Sequence, residues 1–361
     1  MSGDAQAAPG VTPTPPKSRA LPTWARAGQA LIPQGLPAPN PRVIGLVVSI
    51  LAAAIVFTLV NPNFALGTNL IGLVRAMSSM GIMALGLTLL IIAGELDLSI
   101  GATYGLAAML MGKAWLAGVP FAAALAIGLG IGLGVGLANA LLTTVVRMPS
   151  FVATLGTLNV AQGATLLISE ARGINPGYSH PPVDPRELEV FRALGATSLP
   201  LGIPIQVLWL LVLSVVVGLL LHRSLFGFRL FAIGGNVEAA RTARLPIRRY
   251  KFVAFMLAGL LAALAGILDF SFLGSTDPSA GLPLLFPVFA AVIVGGASLR
   301  GGRGTIIGTF LGALLLAVLG NGLSVIGVGA FGQLMFVGLA ILGAVALDRW
   351  TARKSEEWSV E

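Results

Sequence analysis

The chain has 361 residues, of which 56% are apolar and only 10% are charged. Because a soluble globular protein carries about 25% charged residues, this composition excludes a largely water-facing surface and indicates a membrane protein. The absence of Cys excludes disulfides, thiolate metal sites and Cys nucleophiles, and two His residues are too few to suggest a metal cluster.

Long uncharged runs separated by Gly, Pro and charged residues follow a Pro-rich start. Residues 1–41 contain nine of the 22 prolines, so we expect a disordered tail there. Each later run approaches the roughly 20 residues that cross a bilayer as a helix. The predicted spans are 43–60, 70–93, 98–117, 121–146, 151–169, 204–221, 252–272 and 284–299, with two more between 303 and 348 that break at Asn321-Gly322.

The predicted fold class is therefore all-α, a polytopic bundle of about ten transmembrane helices. The transmembrane domain covers residues 42–348, and residues 349–361 form a C-terminal tail. The first apolar run is too long for a cleaved signal peptide, so we expect it to remain as a helix.

The distribution of Lys and Arg predicts the orientation, because these residues accumulate in cytoplasmic loops. With both termini in the cytoplasm, seventeen of the 22 Lys and Arg lie on the inner side, four lie outside, and Arg75 lies within the second span. The largest inner loop is 223–251 and the largest outer loop is 170–203. This topology explains the net charge of +8 without a nucleic-acid partner. We expect the Arg75 side chain to extend along its helix to the water interface.

The 223–251 loop carries the most distinctive pattern outside the spans. Gly234-Gly235-Asn236 is a turn and N-cap signal, and Glu238 suits a first helical turn, so a short helix is expected from Val237. Charge alone favours an ordinary cytoplasmic loop, whereas the ordered Gly-Gly-Asn-x-Glu pattern favours a contact with a partner protein. The residues predicted to form this contact are Gly234, Gly235, Asn236, Glu238, Ala240 and Arg241.

Carboxylates beside or inside the spans are candidates for a translocation pathway or gate, because ionisable groups in the hydrocarbon are costly and often functional. Glu95, Asp97 and Ser99 lie between the second and third spans, where Asp97 and Ser99 could instead cap the third helix from water. Asp269 lies in the seventh span with no partner nearby in sequence, so either it lines a wet pathway or the helix ends one turn earlier. The remaining candidates, chosen because they are polar residues in an apolar span, are Thr154, Thr157 and Asn159.

Glycine recurs at a helical spacing in the fourth span. Gly128, Gly132 and Gly136 are four residues apart, and Gly130 and Gly134 lie on the other side of the same helix. Because small residues let helix backbones approach closely in lipid, we expect the fourth span to have neighbours on both faces.

No pattern in the chain indicates chemistry on a substrate. A P-loop, a Ser-His-Asp set, a carboxylate dyad and a zinc motif are all missing from the sequence. The glycines of Gly301-Gly302-Arg303-Gly304 lack the P-loop lysine and the preceding strand, and we interpret them as a tight inner turn. We therefore expect no enzymatic activity and no cofactor or metal bound by this chain.

Four blocks of sequence together resemble the permease subunits of bacterial ATP-binding-cassette sugar importers, the ribose, xylose and galactoside class. They fall in order over most of residues 42–348. The blocks are residues 93–101 (AGELDLSIG), 149–157 (PSFVATLGT) with 162–163, 227–229 through 234–241 (GGNVEAAR), and 294–299 with 301–305.

The resemblance implies a permease that translocates a monosaccharide of the pentose or hexose class across the bacterial inner membrane by alternating access. It implies a separate cytoplasmic ATPase subunit that binds ATP and Mg²⁺, a second permease copy or paralogue, and a periplasmic sugar-binding protein. Residues 234–241 then look like the coupling helix that contacts the ATPase. The family typically has Gly at the position of Arg244, and many members have Tyr-Glu-Leu-Asp where this chain has Leu284-Leu285-Phe286-Pro287.

Two alternatives stay open from the sequence. Because two acids of the family pattern are missing near the outer face, the solute of such an importer could be something other than a sugar. An ion-coupled secondary transporter or channel would need no ATPase and would use Asp97 or Asp269 for ion coupling.

Overall fold

The computed structural model describes residues 41–357, so the predicted Pro-rich tail lies outside the described residues except for Pro41. Regular structure within 41–357 is helical, with two isolated β-bridges, Ile174–Thr276 and Ser198–Pro204, and no strand. The α-helices of this range are α1 (Pro41–Val60), α2 (Gly67–Ile92), α3 (Ile100–Leu116), α4 (Phe121–Thr144), α5 (Ser150–Ser169), α6 (Pro185–Gly195), α7 (Ile205–Arg223), α8 (Leu225–Gly235), α9 (Val237–Thr242), α10 (Ile247–Leu273), α11 (Leu285–Val294), α12 (Ile306–Val325) and α13 (Ala330–Glu357).

Seven of these described helices, α1, α2, α4, α5, α7, α10 and α12, are long and apolar enough to cross a membrane, and shorter apolar helices accompany them. This confirms the all-α polytopic fold class. The first six predicted spans match α1 to α5 and α7 to within three residues at either end, whereas α10 begins five residues earlier than predicted. The last helix, α13, continues nine residues beyond the predicted domain boundary at residue 348.

The predicted eighth span is shorter than expected, because α11 ends at Val294 rather than at residue 299. At about 1.5 Å per residue its ten residues cover about 15 Å, half the thickness of the hydrocarbon layer. The chain turns at Gly295 and Gly296, where Gly296 has φ +94°. A Cβ on Gly295 would lie 2.5 Å from the Gly308 carbonyl oxygen, so the turn is held against α12 by direct backbone contact.

The predicted break at Asn321-Gly322 is wrong, because α12 continues through both residues to Val325. The side-chain amides of Asn321 and Asn69 exchange hydrogen bonds of 2.8 and 2.9 Å. The Asn321 amide therefore has its partner inside the bundle, whereas in a turn it would bond to water. The actual break follows at residues 326–329, where Gly327 adopts φ +88°.

Helix α1 packs against α12, which lies more than 240 positions later in the chain. The ring of Phe57 occupies the space beside Gly322, where a Cβ would lie 2.2 Å from the ring. One turn later, the Asn61 side-chain amide donates to the Val325 carbonyl at 2.9 Å. These contacts join the first helix to α12.

The two large loops both contain helices. In the 223–251 loop, the sequence predicts the short helix α9 but not α8, whose start is capped by Ser224 and whose buried face includes Leu230 and Ile233. In the 170–203 loop, α6 packs on α10. Its Glu187 carboxylate accepts hydrogen bonds from the Trp115 indole at 2.7 Å and from the first backbone N–H of α4 at 2.9 Å.

Helices α2 and α10 form the centre of the bundle. Their most apolar windows are 67% and 61% buried, against 17% for α1 and 22% for α5 and α7, which leave large aliphatic side chains exposed. Since lipid is as apolar as these side chains, the exposed faces suit contact with acyl chains.

The glycine repeat of α4 makes a backbone contact with α10. A Cβ on Gly132 would lie 2.4 Å from the Gly259 carbonyl oxygen, and a Cβ on Gly136 would lie 2.5 Å from the Phe255 carbonyl oxygen. The expected contact on the second face is not found, because a Cβ added to Gly130 or Gly134 would have nothing within 4 Å. Only one glycine face of α4 packs against the described helices.

We expect Gly132→Ala to lower the free energy of unfolding by about 1–3 kcal/mol, because the added methyl group forces α4 and α10 apart. Gly134→Ala is the matched control on the open face, and it should leave the unfolding midpoint unchanged or raised. Thermal unfolding of the detergent-solubilised chain measures both. Equal losses in the two variants would contradict this packing.

Candidate functional site

Helix α9 forms as the sequence predicts, and it exposes its charged side chains. The Asn236 side chain caps it by accepting from the Ala239 N–H at 2.9 Å. Glu238 and Arg241 form an ion pair at 2.8 Å, and their side chains are 78% and 67% exposed. Ala240 is buried against the protein. The helix is thus anchored by one small residue and presents an acid and a base outward.

The glycines before α9 pack on the end of α2 and on the turn before α12. A Cβ on Gly234 would lie 1.7 Å from the Ile92 carbonyl oxygen, and a Cβ on Gly302 would lie 2.5 Å from the backbone of Gly235. The Gly302 N–H also donates to the Ile92 carbonyl at 2.9 Å. The interpretation of Gly301-Gly302-Arg303-Gly304 as a tight turn is confirmed. Gly234 is therefore a packing residue, because no side chain fits at its position.

A tight cap connects α9 to α10. The Arg244 N–H donates to the Arg241 carbonyl and the Leu245 N–H to the Ala240 carbonyl, both at 3.0 Å, which is the paired bonding of a Schellman motif. Arg244 occupies the left-handed position of this motif with φ +54°. Glycine is favoured at such a position because a Cβ is strained at positive φ. The glycine that the family typically has in place of Arg244 would therefore suit this turn.

An ion pair links the start of α10 to the loop between α2 and α3. The Lys251 ammonium donates to the Glu95 carboxylate, and the two side chains are only 16% and 12% exposed. Both residues line a cleft of about 850 Å³, which we call the inner cleft. The other charged residues that line it are Arg147, Arg241, Arg248 and Arg249.

Asp97 lies at the centre of a buried polar network that joins three helices. Its carboxylate accepts from the Ser99 N–H at 2.8 Å and from the Ser99 hydroxyl at 2.6 Å, and the Asn139 amide approaches it at 3.3 Å. The Thr157 hydroxyl donates to the Asn139 side-chain oxygen at 2.6 Å. We call Asp97, Ser99, Asn139 and Thr157 the Asp97 network. Asp97 and Ser99 are 1% and 0% exposed, so the expectation that they cap α3 from water is wrong.

The other two polar candidates of α5 behave differently from Thr157. The Thr154 hydroxyl bonds its own helix at the Ser150 carbonyl, at 2.7 Å, and lies 3.4 Å from the Leu96 carbonyl oxygen of the α2–α3 loop. Asn159 is exposed and its amide bonds the Leu155 carbonyl of the same helix at 2.9 Å. The Asn159 amide therefore bonds its own helix and not the Asp97 network.

Asp269 is the centre of a second cluster, which joins α2, α3 and α10. It accepts from the Tyr104 hydroxyl at 2.5 Å and the Ser79 hydroxyl at 2.6 Å, and the Arg75 guanidinium lies 3.8 Å away. Arg75 also stacks over the Phe272 ring at 4.2 Å, so protein contacts hold its side chain, and its expected extension to the water interface stays a prediction. Helix α10 continues to Leu273, which excludes an earlier helix end at Asp269. We call these residues the Asp269 cluster.

The sequence gives no indication of which residues partner these acids. Asn139 stands out only as the single amide in a helix rich in Gly and Ala, and Tyr104 only as a polar aromatic in an apolar span. Within residues 41–357, no group of three or more His, Asp or Glu side chains could hold a metal ion. Asp97 and Asp269 each contact protein donors from a neighbouring helix, so their geometry is that of helix–helix junctions.

We expect Asp269→Leu to lower the free energy of unfolding by about 2–3 kcal/mol, because it leaves the Arg75 charge and two hydroxyl groups without their acceptor. Arg75→Leu combined with Asp269→Leu should lose less than Asp269→Leu alone, because no unpaired charge remains. Glu189→Gln, which neutralises an exposed acid on α6, is the control. Denaturation in detergent measures all three, and a double variant less stable than Asp269→Leu would refute the pairing.

Comparison with known proteins identifies the family. Residues 69–345 match the family described as branched-chain amino acid transport system / permease component. The match covers the span from the start of α2 to the middle of α13, so it includes α9, the Asp97 network and the Asp269 cluster.

Relatives cover nearly the whole chain. The chain is 38% identical to the ribose import permease protein RbsC of Bacillus subtilis over 85% of this chain and 92% of that protein. It is 35% identical to the ribose import permease protein RbsC of Escherichia coli over 84% and 92%, and 32% identical to the D-allose transport system permease protein AlsC of the same organism over 81% and 87%.

No solved structure matches the chain. The family match and these relatives confirm the resemblance that the four sequence blocks indicate. The chain is a member of the branched-chain amino acid transport system / permease component family and a multi-pass membrane protein.

Proposed function

We propose that this chain is the membrane permease subunit of an ATP-binding-cassette importer that carries a monosaccharide of the pentose or hexose class across the bacterial inner membrane. The observation that carries the proposal is the 38% identity to a ribose import permease over 92% of that protein's length. The 32% identity to a D-allose permease supports a sugar substrate as well.

The second part of the proposal concerns the driving force. A separate cytoplasmic ATPase subunit binds ATP and Mg²⁺, and its movement switches the permease between inward- and outward-facing states. We place the 223–251 loop on the cytoplasmic side because of its Lys and Arg content, with both termini on the same side. Exposed Glu238 and Arg241 on α9 then form the contact with the ATPase.

The remaining partners follow from the same proposal. A second permease copy or a paralogue completes the pathway, and a periplasmic sugar-binding protein delivers the solute to the side on which α6 lies. Glu95, Asp97, Ser99, Thr157 and their neighbours act in this proposal as residues that hold the pathway helices in register.

The alternative of an ion-coupled transporter or channel finds less support. It requires Asp97 or Asp269 to be available to an ion, yet each carboxylate is occupied by two or three protein groups. The Arg75 guanidinium beside Asp269 further disfavours a cation at that position.

The function is tested by uptake in vesicles that contain the chain, its ATPase and its binding protein. We expect D-ribose or D-allose uptake that requires ATP inside the vesicle and persists when an uncoupler collapses the proton gradient. Polyols and nucleosides, tested in parallel, distinguish a non-sugar importer. Uptake that is lost with the uncoupler and continues without ATP would overturn the proposal in favour of a secondary transporter.

The proposed role of α9 is tested by co-purification with the ATPase. Glu238→Ala with Arg241→Ala should weaken the complex by about tenfold or more, equivalent to about 1.4 kcal/mol, because both side chains face outward and neither supports the fold. Arg186→Ala with Glu189→Ala, an exposed pair with the same spacing and charges on α6, is the matched control. Equal recovery of the ATPase with both double variants would contradict the assignment.

A further inference from the structure

The segments on either side of α9 contact the end of α2 and the loop between α2 and α3, residues 93–99. Upstream of α9, Gly234 packs on the Ile92 carbonyl at the end of α2. Downstream of α9, Lys251 binds Glu95 inside the loop. The helix that exposes Glu238 and Arg241 is therefore flanked by two attachments, a close backbone contact with the end of α2 and an ion pair with the loop that follows it.

The downstream attachment is short and closely bonded. Four residues, 243–246, separate α9 from α10, and the paired backbone bonds around Arg244 fix their conformation. Lys251 is the fifth residue of α10. Because a helix and a bonded cap resist bending, a displacement of α9 moves the Lys251 ammonium with it.

The Glu95 end of the ion pair is equally fixed. The Gly94 N–H bonds the Ile91 carbonyl at 3.0 Å and the Glu95 N–H bonds the Leu90 carbonyl at 2.9 Å, a second Schellman motif that ends α2. Two residues later, Asp97 begins the buried network that reaches α4 through Asn139 and α5 through Thr157. A force on the Glu95 carboxylate is thus applied next to a junction of three helices.

The surroundings of the ion pair suit a transmitting contact. Both side chains line the inner cleft and are more than four-fifths buried. Arg248 and Arg249, on the same turn of α10 as Lys251, are exposed instead. In such surroundings removal of one partner leaves an uncompensated charge, so the pair opposes separation of α10 from the loop.

We propose that Glu95 and Lys251 are positioning residues that transmit the displacement of α9 to the α2–α3 loop and, through the Asp97 network, to α3, α4 and α5. The inference rests on the proposed function, because it takes α9 as the contact with the ATPase. It extends that function by naming the contact that connects ATP hydrolysis to movement of the pathway helices.

The test is a double-mutant cycle in assembled transporter whose unaltered form imports sugar. Glu95→Gln and Lys251→Gln should each lower ATP-dependent uptake by about tenfold, while ATP hydrolysis by the complex changes by less than about twofold, so more ATP is consumed per sugar. The combination of both substitutions should be no worse than either alone, because each removes the same interaction. The exchange Glu95→Lys with Lys251→Glu should restore part of the uptake.

Two controls separate transmission from simple loss of structure. Arg248→Gln removes the same charge from the same turn of α10 without touching Glu95, and its ATP consumption per sugar should equal that of the unaltered protein. Glu95→Asp and Lys251→Arg keep both charges and should retain most of the uptake, so a neutral variant that fails to assemble does not leave the test without an answer.

Three results would overturn the inference: uptake and ATP hydrolysis falling in proportion, additive losses in the double variant, or unchanged uptake in both single variants. These outcomes differ from a failure of the proposed function. In that case the unaltered complex itself shows no ATP-dependent sugar uptake, whereas here it imports and only the variants consume more ATP per sugar.

Discussion

Contact between helix backbones at glycine is the constraint on which the arrangement depends. In lipid no hydrophobic effect draws helices together, so close approach and polar contacts must do so. Helix α10 makes this approach to α4 at Gly132 and Gly259, and to α3 at Gly266, where a Cβ would lie 2.2 Å from the Tyr104 carbonyl oxygen. Three residues after Gly266, the Asp269 carboxylate accepts a hydrogen bond from the Tyr104 hydroxyl. The glycine contact thus sets the distance at which the polar cluster forms.

Three acids at the helix junctions, Asp97, Asp269 and Glu95, differ in which segments supply their hydrogen-bond donors. Asp97 binds groups from its own loop and from α4, Asp269 binds groups from α2 and α3, and Glu95 binds an ammonium from α10. A carboxylate inside a membrane bundle is costly unless donors surround it, so each acid also fixes the helices that supply those donors. The acids lie where helices must keep their relative positions, and the exposed charges of α9 lie where a partner can reach them.

The sequence predicts the elements better than their contacts. Uncharged runs locate the spans because a chain segment that crosses the bilayer must satisfy its own backbone hydrogen bonds, which a helix does. Asn236 predicts α9 because an N-cap acts on the residues that follow it directly. The prediction of a break at Asn321-Gly322 is wrong because both residues pack against distant parts of the chain, Asn321 against Asn69 and Gly322 against Phe57, instead of facing water in a turn. Ser99, a partner of Asp97, is its neighbour in sequence. The other contacts, of Asp97 with Asn139, of Asp269 with its donors, of Arg75 with Phe272 and of Lys251 with Glu95, join residues between about 40 and 200 positions apart, which a local sequence pattern does not reveal.

The junction of Phe57 and Asn61 with α12 has a consequence for the order of biosynthesis. Asn61 and its acceptor at Val325 are 264 positions apart, so the ribosome completes nearly all of the other helices before the partner of α1 exists. Helix α1 must therefore remain in the lipid without its α12 contacts during that interval, and its largely apolar surface, whose most apolar window is only 17% buried in the finished fold, suits exposure to acyl chains. Packing of the first helix against α12 is a late event in assembly, because it must follow the synthesis of α12.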